Sequence, residues 1–192
     1  MKTFRIIALV LTCGLSLTAC NVTRRLHDGE YLLSQVKIET DRETPRRERI
    51  GADQLKKYLR QRPNKRLLGT DFYVWMYNLA DPEKDNGWNN FKRRIGEEPV
   101  LLDVGLTERT ADNFKNYMDS RGFFASRVTY EIDTTRRRHR AYVTYRTRQG
   151  APYRIRSFDY EFRDRNLEPL ILADTARSLV HVGDIFDIST LN

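Results

Sequence analysis

The sequence has few of the cysteines and histidines, and lacks the local motifs, that commonly form catalytic and metal-binding sites. It contains two cysteines and three histidines, and it has neither a glycine-rich phosphate loop nor a nucleophile elbow. His27, His139 and His181 lie far apart along the chain, and none has metal-ligand spacing to a Cys, Asp or Glu. The adjacent carboxylates Glu97 and Glu98 stand between a glycine and a proline, which predicts a solvated turn. We therefore expect no catalytic residues, no cofactor, no metal and no small-molecule substrate.

Long apolar runs are also scarce, and the one at residues 6–17 follows Lys2 and Arg5. It is too short to span a membrane stably, so residues 1–19 are predicted to be a signal peptide. The run ends in Leu-Thr-Ala-Cys, which resembles the lipobox of bacterial lipoproteins. By that resemblance Cys20 begins the mature chain and carries the lipid anchor, including an amide-linked acyl group such as palmitate. An ordinary signal peptide with an incidental cysteine is the alternative.

The cysteine content and the charge of the chain bear on whether it has disulfide bonds and whether it binds nucleic acid or anionic lipid. Cys13 leaves with the signal peptide and Cys20 is acylated, so no disulfide is expected and the fold must rest on its core. The formal charge of +8 falls to +6 when Lys2 and Arg5 are removed. The densest basic run, residues 136–140, predicts a solvated hairpin tip, with attraction to anionic headgroups as its functional alternative. Binding of nucleic acid would need stacking or groove-reading elements as well, and we expect none.

Hydrophobic periodicity predicts an α+β fold. Residues 31–39 alternate as a strand, and residues 52–61 fit a helix that ends before Pro63. A second helix is predicted from Thr107, its N-cap, to Gly122, which suits a left-handed stop. Alternating runs then predict a hairpin, with strands at 126–133 and 141–146. Helices packed on one face of a small mixed sheet would bury these apolar stripes.

Two segments stand outside this pattern. Residues 64–103 are too long for a simple connection and rich in aromatic residues, with short helices predicted at 68–79 and 88–95. This aromatic insertion would either bind a ligand or partner or form a small satellite core. After Gly150 the pattern predicts a bulged strand at 153–162 and a helix from Asn166 to about residue 180.

The order strand, helix, helix, strand, strand is similar to a POTRA domain, the periplasmic repeat of BamA/TamA-type outer-membrane assembly factors. Four local sequences carry the resemblance: residues 61–69 (QRPNKRLLG), 96–100 (GEEPV), 121–128 (RGFFASRV) and 150–155 (GAPYRI). The resemblance implies a tether at 20–30, a POTRA-like domain at 31–149 with its aromatic insertion, and an incomplete second one at 150–192. The membrane barrel of that family does not follow within this sequence, so insertase activity is not expected of it.

The resemblance implies a binding module rather than an enzyme. Its partners would be unfolded outer-membrane proteins or assembly-machinery subunits, held at a sheet edge near the outer membrane and facing the periplasm. In the family the second strand is an edge, which gives the client-binding residues here as Ser126, Arg127, Val128, Thr129, Tyr130, Glu131, Ile132 and Asp133. Charges in that strand could equally blunt the edge against aggregation. The alternative function is a structural spacer, or an inert lipoprotein that docks to a partner through the aromatic insertion.

Overall fold

The computed structural model describes residues 22–81, 83–163, 166–173 and 178–191. The fold is α+β, as predicted, and is organised on a three-stranded mixed sheet with the order β1-β3-β2. The strands are β1 (Leu32–Thr40), β2 (Arg127–Asp133) and β3 (Arg140–Arg148). The Leu32 N–H donates to the His139 carbonyl and the Asp41 N–H to the Thr147 carbonyl, so β1 and β3 run parallel. The predicted signal peptide and Cys20 lie outside the described residues.

The helices are mostly short. They are α1 (Ala52–Leu55), α2 (Phe72–Asn78), α3 (Gly87–Ile95), α4 (Val104–Ser120), α5 (Glu168–Leu172) and α6 (Ile188–Leu191). A 3₁₀ turn, Lys56–Tyr58, follows α1 and ends three residues before the predicted limit at residue 61. Leu59 adopts extended backbone there, and the Arg60 N–H donates to the Thr110 hydroxyl oxygen at 3.1 Å. A contact with α4 therefore replaces the last predicted helical turn.

The longest helix, α4, buries one stripe against the sheet. Phe114 and Met118 are fully buried, and the Phe114 ring meets Tyr145 of β3 edge-on with centroids 5.2 Å apart. The prediction of Thr107 as the N-cap is wrong, because the helix begins at Val104 and Thr107 is buried inside it. Because α4 begins before Thr107, the Thr107 carbonyl lies within the helix, where it accepts a hydrogen bond from the Tyr145 hydroxyl at 3.3 Å.

The predicted glycine stop of α4 is confirmed. Gly122 has a φ of +84°, and its N–H donates to the Asp119 carbonyl at 3.0 Å. The next N–H, of Phe123, reaches back to the Met118 carbonyl at 2.9 Å, and the Phe123 side chain is buried. These two bonds form a Schellman motif, which satisfies the last carbonyls of the helix.

The described chain forms two compact units, each assembled from separate stretches. The first comprises the described residues up to Val36, with Gln61–Asp103 and Ile132–Val143. Its buried cluster is Val22, Leu32 and Val74, with Leu26 and Trp75 packed against it. The second comprises Lys37–Arg60, Val104–Glu131 and the described residues from Thr144 onward. The contact of α4 with Tyr145 lies in this second unit. The proposed domain boundary at Gly150 stays a prediction.

The pattern after Gly150 does not form as predicted. No strand is present among the described residues there, and Arg154 and Ile185 form an isolated antiparallel bridge. Of the predicted helix from Asn166, the structure has α5, where Leu170 is 68 % exposed. Short helices are stable in proteins mainly through burial of an apolar face. Leu170 and Leu172 of α5 are both exposed, so neither leucine gives it that support.

Candidate functional site

The predicted client-binding strand, β2, is an outer strand of the sheet. It pairs with the central strand β3 on one side. Within the described ranges, no backbone–backbone hydrogen bond joins its other side to another segment. Unpaired N–H and C=O groups along such an edge are a template for the backbone of an added strand.

Side-chain exposure alternates along β2. Arg127, Thr129 and Glu131 are exposed, whereas Val128, Tyr130 and Ile132 are half-buried on the opposite face. Of the half-buried residues, Tyr130 donates its hydroxyl proton to the Glu108 carboxylate of α4 at 3.1 Å. Partial burial, and then this bond, raise the pKa of Tyr130. The strand is therefore fixed on its helix-facing side and open on the other.

Ser126 was predicted to belong to the edge but lies before it. Its side chain is buried, with 6 % exposure, and its N–H donates to the Phe123 carbonyl at 3.0 Å in the turn after α4. Its hydroxyl has no hydrogen-bond partner among the described residues. The edge that can receive a strand is thus Arg127–Asp133, because Ser126 is used in the turn.

The acidic residues of β2 are held by partners within the chain. Glu131 pairs with Arg146 of β3 at 2.7 Å. Asp133, at the end of the strand, accepts hydrogen bonds from the Thr135 N–H and hydroxyl, and Arg136 pairs with it at 2.6 Å. The Thr135 N–H first, then its hydroxyl and Arg136, hold the pKa of Asp133 below its usual value. Both carboxylates therefore have partners within the chain.

A shallow groove of about 390 Å³ lies beside the start of β2 on the open face of the sheet. Its lining includes Arg127 and Thr129 of β2, Arg146 and Arg148 of β3, and Glu39 of β1. Hydrogen bonding to Lys37, and then to Arg146, holds the pKa of Glu39 below its usual value. The lining of the groove therefore carries both signs of charge, including three arginines. Its arginines suit polar or acidic side chains of an added strand.

The other outer strand, β1, is covered over its first residues. The Leu33 N–H donates to the Val100 carbonyl at 2.8 Å, and the Leu102 N–H donates to the Tyr31 carbonyl at 2.7 Å. Leu101 forms an antiparallel bridge with Leu32 between these bonds. The end of the aromatic insertion thus occupies the start of the β1 edge.

Two side-chain amides hold that covering segment in place. Asn64 donates to the Glu98 carbonyl at 2.7 Å and accepts from the Val100 N–H at 2.8 Å. Gln61 makes the same pair of bonds further along the covering segment. It donates to the Leu101 carbonyl and accepts from the Asp103 N–H at 3.1 Å. We call Gln61 and Asn64 the amide clamp. Sequence reasoning noted their motif only as a resemblance and missed this role.

Neither a metal site nor a membrane-crossing helix is found in the described part of the chain. No three or more His, Cys, Asp or Glu side chains gather there as metal ligands would. None of its helices is both long and apolar enough to cross a membrane. No protein-family model matches the sequence, and comparison with curated proteins gives no match.

Proposed function

We propose that this chain is a binding module, tethered to the outer membrane on its periplasmic side, that holds unfolded outer-membrane proteins or assembly-machinery subunits. The client adds an extended segment to the outer edge of β2. The observation that carries the proposal is the outer edge of β2, which no backbone of the described residues pairs, whereas the β1 edge on the other side of the sheet is covered at its start. The resemblance of the sequence to POTRA domains supports the same role.

The energetics of strand addition at β2 predict weak binding that tolerates different client sequences. Seven residues of β2 offer about six to eight outward backbone groups, because only alternate residues point away from β3. At roughly 0.5–1.5 kcal/mol net for each hydrogen bond, they contribute about 3–12 kcal/mol. Ordering seven client residues costs about 7–14 kcal/mol of backbone entropy. The free energy of backbone pairing is therefore close to the entropic cost of ordering the client. Cross-strand side-chain pairs of about 0.2–1 kcal/mol each then determine the affinity.

Cysteine cross-linking tests strand addition, since an acylated Cys20 leaves the mature chain without a free thiol. Single cysteines replace Arg127, Thr129 and Glu131 in turn, and each variant is mixed with peptides that carry one cysteine at successive positions of an outer-membrane strand. Each step of two residues along β2 should shift the preferred peptide position by two. Loss of the exposed Glu131–Arg146 pair should cost at most about 1 kcal/mol, so folding is preserved.

Thr144→Cys is the matched control, because Thr144 lies on the central strand β3, which is paired on both sides. Strand addition would be contradicted if the preferred peptide position did not move with the β2 cysteine. It would also be contradicted if Thr144→Cys cross-linked as efficiently as the β2 variants. A structural spacer predicts no cross-linking at any of these positions. Lys37→Cys, in the later part of β1, reports whether the remainder of that edge takes clients instead.

The anchor has its own test at Cys20. Cys20→Ser should abolish processing that is sensitive to globomycin, an inhibitor of the lipoprotein signal peptidase, because the modified thiol is lost. Mass spectrometry of the wild-type N-terminus should show a diacylglycerol-modified and N-acylated cysteine. An unmodified N-terminus at another residue would contradict the lipid anchor while leaving the β2 proposal intact.

A further inference from the structure

The aromatic insertion exposes an apolar face on α3. Trp88, Phe91 and Ile95 are 66 %, 46 % and 36 % exposed, and their spacing places them on one side of the helix. The rings of Trp88 and Phe91 stack with centroids 5.4 Å apart. The Lys92 ammonium lies 5.7 Å from the Trp88 ring centroid. Two large stacked rings are thus presented to solvent beside a cation.

The helix that carries this face is capped and is attached to α2. The Asn86 side chain caps α3 by accepting the Asn89 N–H at 2.9 Å. After α3 the backbone of Gly96 passes so close to α2 that an added Cβ would stand 2.5 Å from the Tyr77 nitrogen. The Glu97 N–H also donates to the Tyr73 carbonyl at 3.0 Å. The exposed rings therefore do not result from a loosely attached helix.

The N-terminal part of the described chain is fastened to the same insertion. Val22 is buried against Val74 of α2, and its carbonyl accepts from the Asn78 side chain at 2.8 Å. Arg25 reaches the Ala80 carbonyl, one residue before Asp81, whose N–H donates to the Asn89 side chain of α3. Val22 is two positions after Cys20, and two residue steps span at most about 7 Å. An acylated Cys20 therefore keeps the insertion close to the bilayer.

We propose that α3 lies on the phospholipid surface that Cys20 enters, with Trp88, Phe91 and Ile95 in the headgroup layer. This inference rests on the lipid anchor of the proposed function. Aromatic side chains with a polar tip favour the membrane interface, and an amphipathic helix binds there through its buried apolar area. Lys92, Arg93 and Arg94 add positive charge, but acidic Glu83 and Asp85 precede the helix. Apolar contact is thus the main attraction, and it should survive high salt.

Tryptophan fluorescence tests the inference, because Trp75 and Trp88 are the two tryptophans of the sequence. Trp75→Phe leaves Trp88 as the reporter, and Trp88→Phe leaves Trp75 as the matched control. Each full-length, processed lipoprotein is reconstituted into vesicles of phosphatidylethanolamine and phosphatidylglycerol, with and without brominated acyl chains. Trp88 emission should shift to the blue and lose intensity with brominated lipid, at low and high salt. Trp75 emission should change little.

Replacing Phe91 and Ile95 together by Ser should remove most of the Trp88 quenching, whereas Leu170→Ser, at an exposed leucine of α5, should not. Equal Trp88 intensity in brominated and ordinary lipid would overturn the inference. A blue shift that needs no lipid and grows with protein concentration would also overturn it, by indicating a second copy. Mass spectrometry reports the acyl group separately, and unacylated protein can be added to the same vesicles. Failure of the anchor and failure of α3 docking are therefore distinguishable.

Discussion

Removal of the Asn64 amide should open the β1 edge, and the structure sets the size of the effect. Asn64 is 8 % exposed and bonds the Glu98 carbonyl and the Val100 N–H. Asn64→Ala removes this partner from both backbone groups, whose bonds to it are part-buried. At roughly 0.5–1.5 kcal/mol for each bond, the loss is about 1–3 kcal/mol.

The loss should fall on the segment that covers β1. The Val100 carbonyl accepts the Leu33 N–H, so freeing Val100 exposes the Leu33 amide to solvent. If the whole loss appears as local opening, about 1–3 kcal/mol speeds amide exchange at Leu33 roughly 5-fold to 150-fold. Hydrogen exchange followed by NMR measures this rate, and urea denaturation measures the change in the free energy of unfolding.

Two variants complete the experiment. Gln61→Ala removes the other half of the amide clamp and should accelerate Leu33 exchange in the same way. Asn90→Ala removes an exposed amide that donates to the Asp85 carboxylate, and it should change stability by less than about 0.5 kcal/mol. Unchanged Leu33 exchange in Asn64→Ala, with the protein still folded, would refute the clamp as the device that covers β1.

Three further predictions concern the core, the helix stop and the hairpin. Phe114→Ala should lower the free energy of unfolding by about 3–5 kcal/mol in urea denaturation, because its fully buried ring leaves a cavity. Gly122→Val should lower the thermal midpoint, since φ is +84° and an added Cβ would stand 2.5 Å from the Phe186 carbonyl; an unchanged midpoint would contradict the Schellman stop. NMR titration should place the pKa of Asp133 below its ordinary 3.8. Because that pKa is lowered on folding, the stabilisation of the turn is present above the unfolded pKa and is lost as pH falls through the folded one.

Local patterns predicted the three strands of the sheet well, but not the strand expected at 153–162. β1 was expected at 31–39 and lies at Leu32–Thr40, and its burial alternates from Ser34 to Ile38 as a period-two pattern predicts, although Leu32 and Leu33 are both buried. Gly122 was predictable for a similar reason, since the need for a left-handed residue is local. Thr107 misled the prediction because a threonine before a helical stripe suggests a cap, and its burial beneath Tyr145 depends on residues 38 positions away.

The outer position of β2 in the sheet was predictable, whereas its side-chain contacts were not. That β2 would be an edge came from the family resemblance, and the strand order agrees. The amide clamp depends on contacts between residues 34 to 42 positions apart, for which the sequence carries no periodic signal. The pairing of Glu131 with Arg146 likewise needs the register of two strands.

That pairing bears on whether charges blunt the edge of β2. A charge blocks an edge when it projects beyond the outer strand, into the place of the next chain. Glu131 is instead directed back over the sheet, toward Arg146 of β3 at 2.7 Å. Asp133 is bound into the turn by Thr135 and Arg136, at the very end of the strand. The two acidic residues of β2 are therefore engaged within the chain, and Arg127, exposed at the start of the strand, is the remaining charge by which this edge can be blunted.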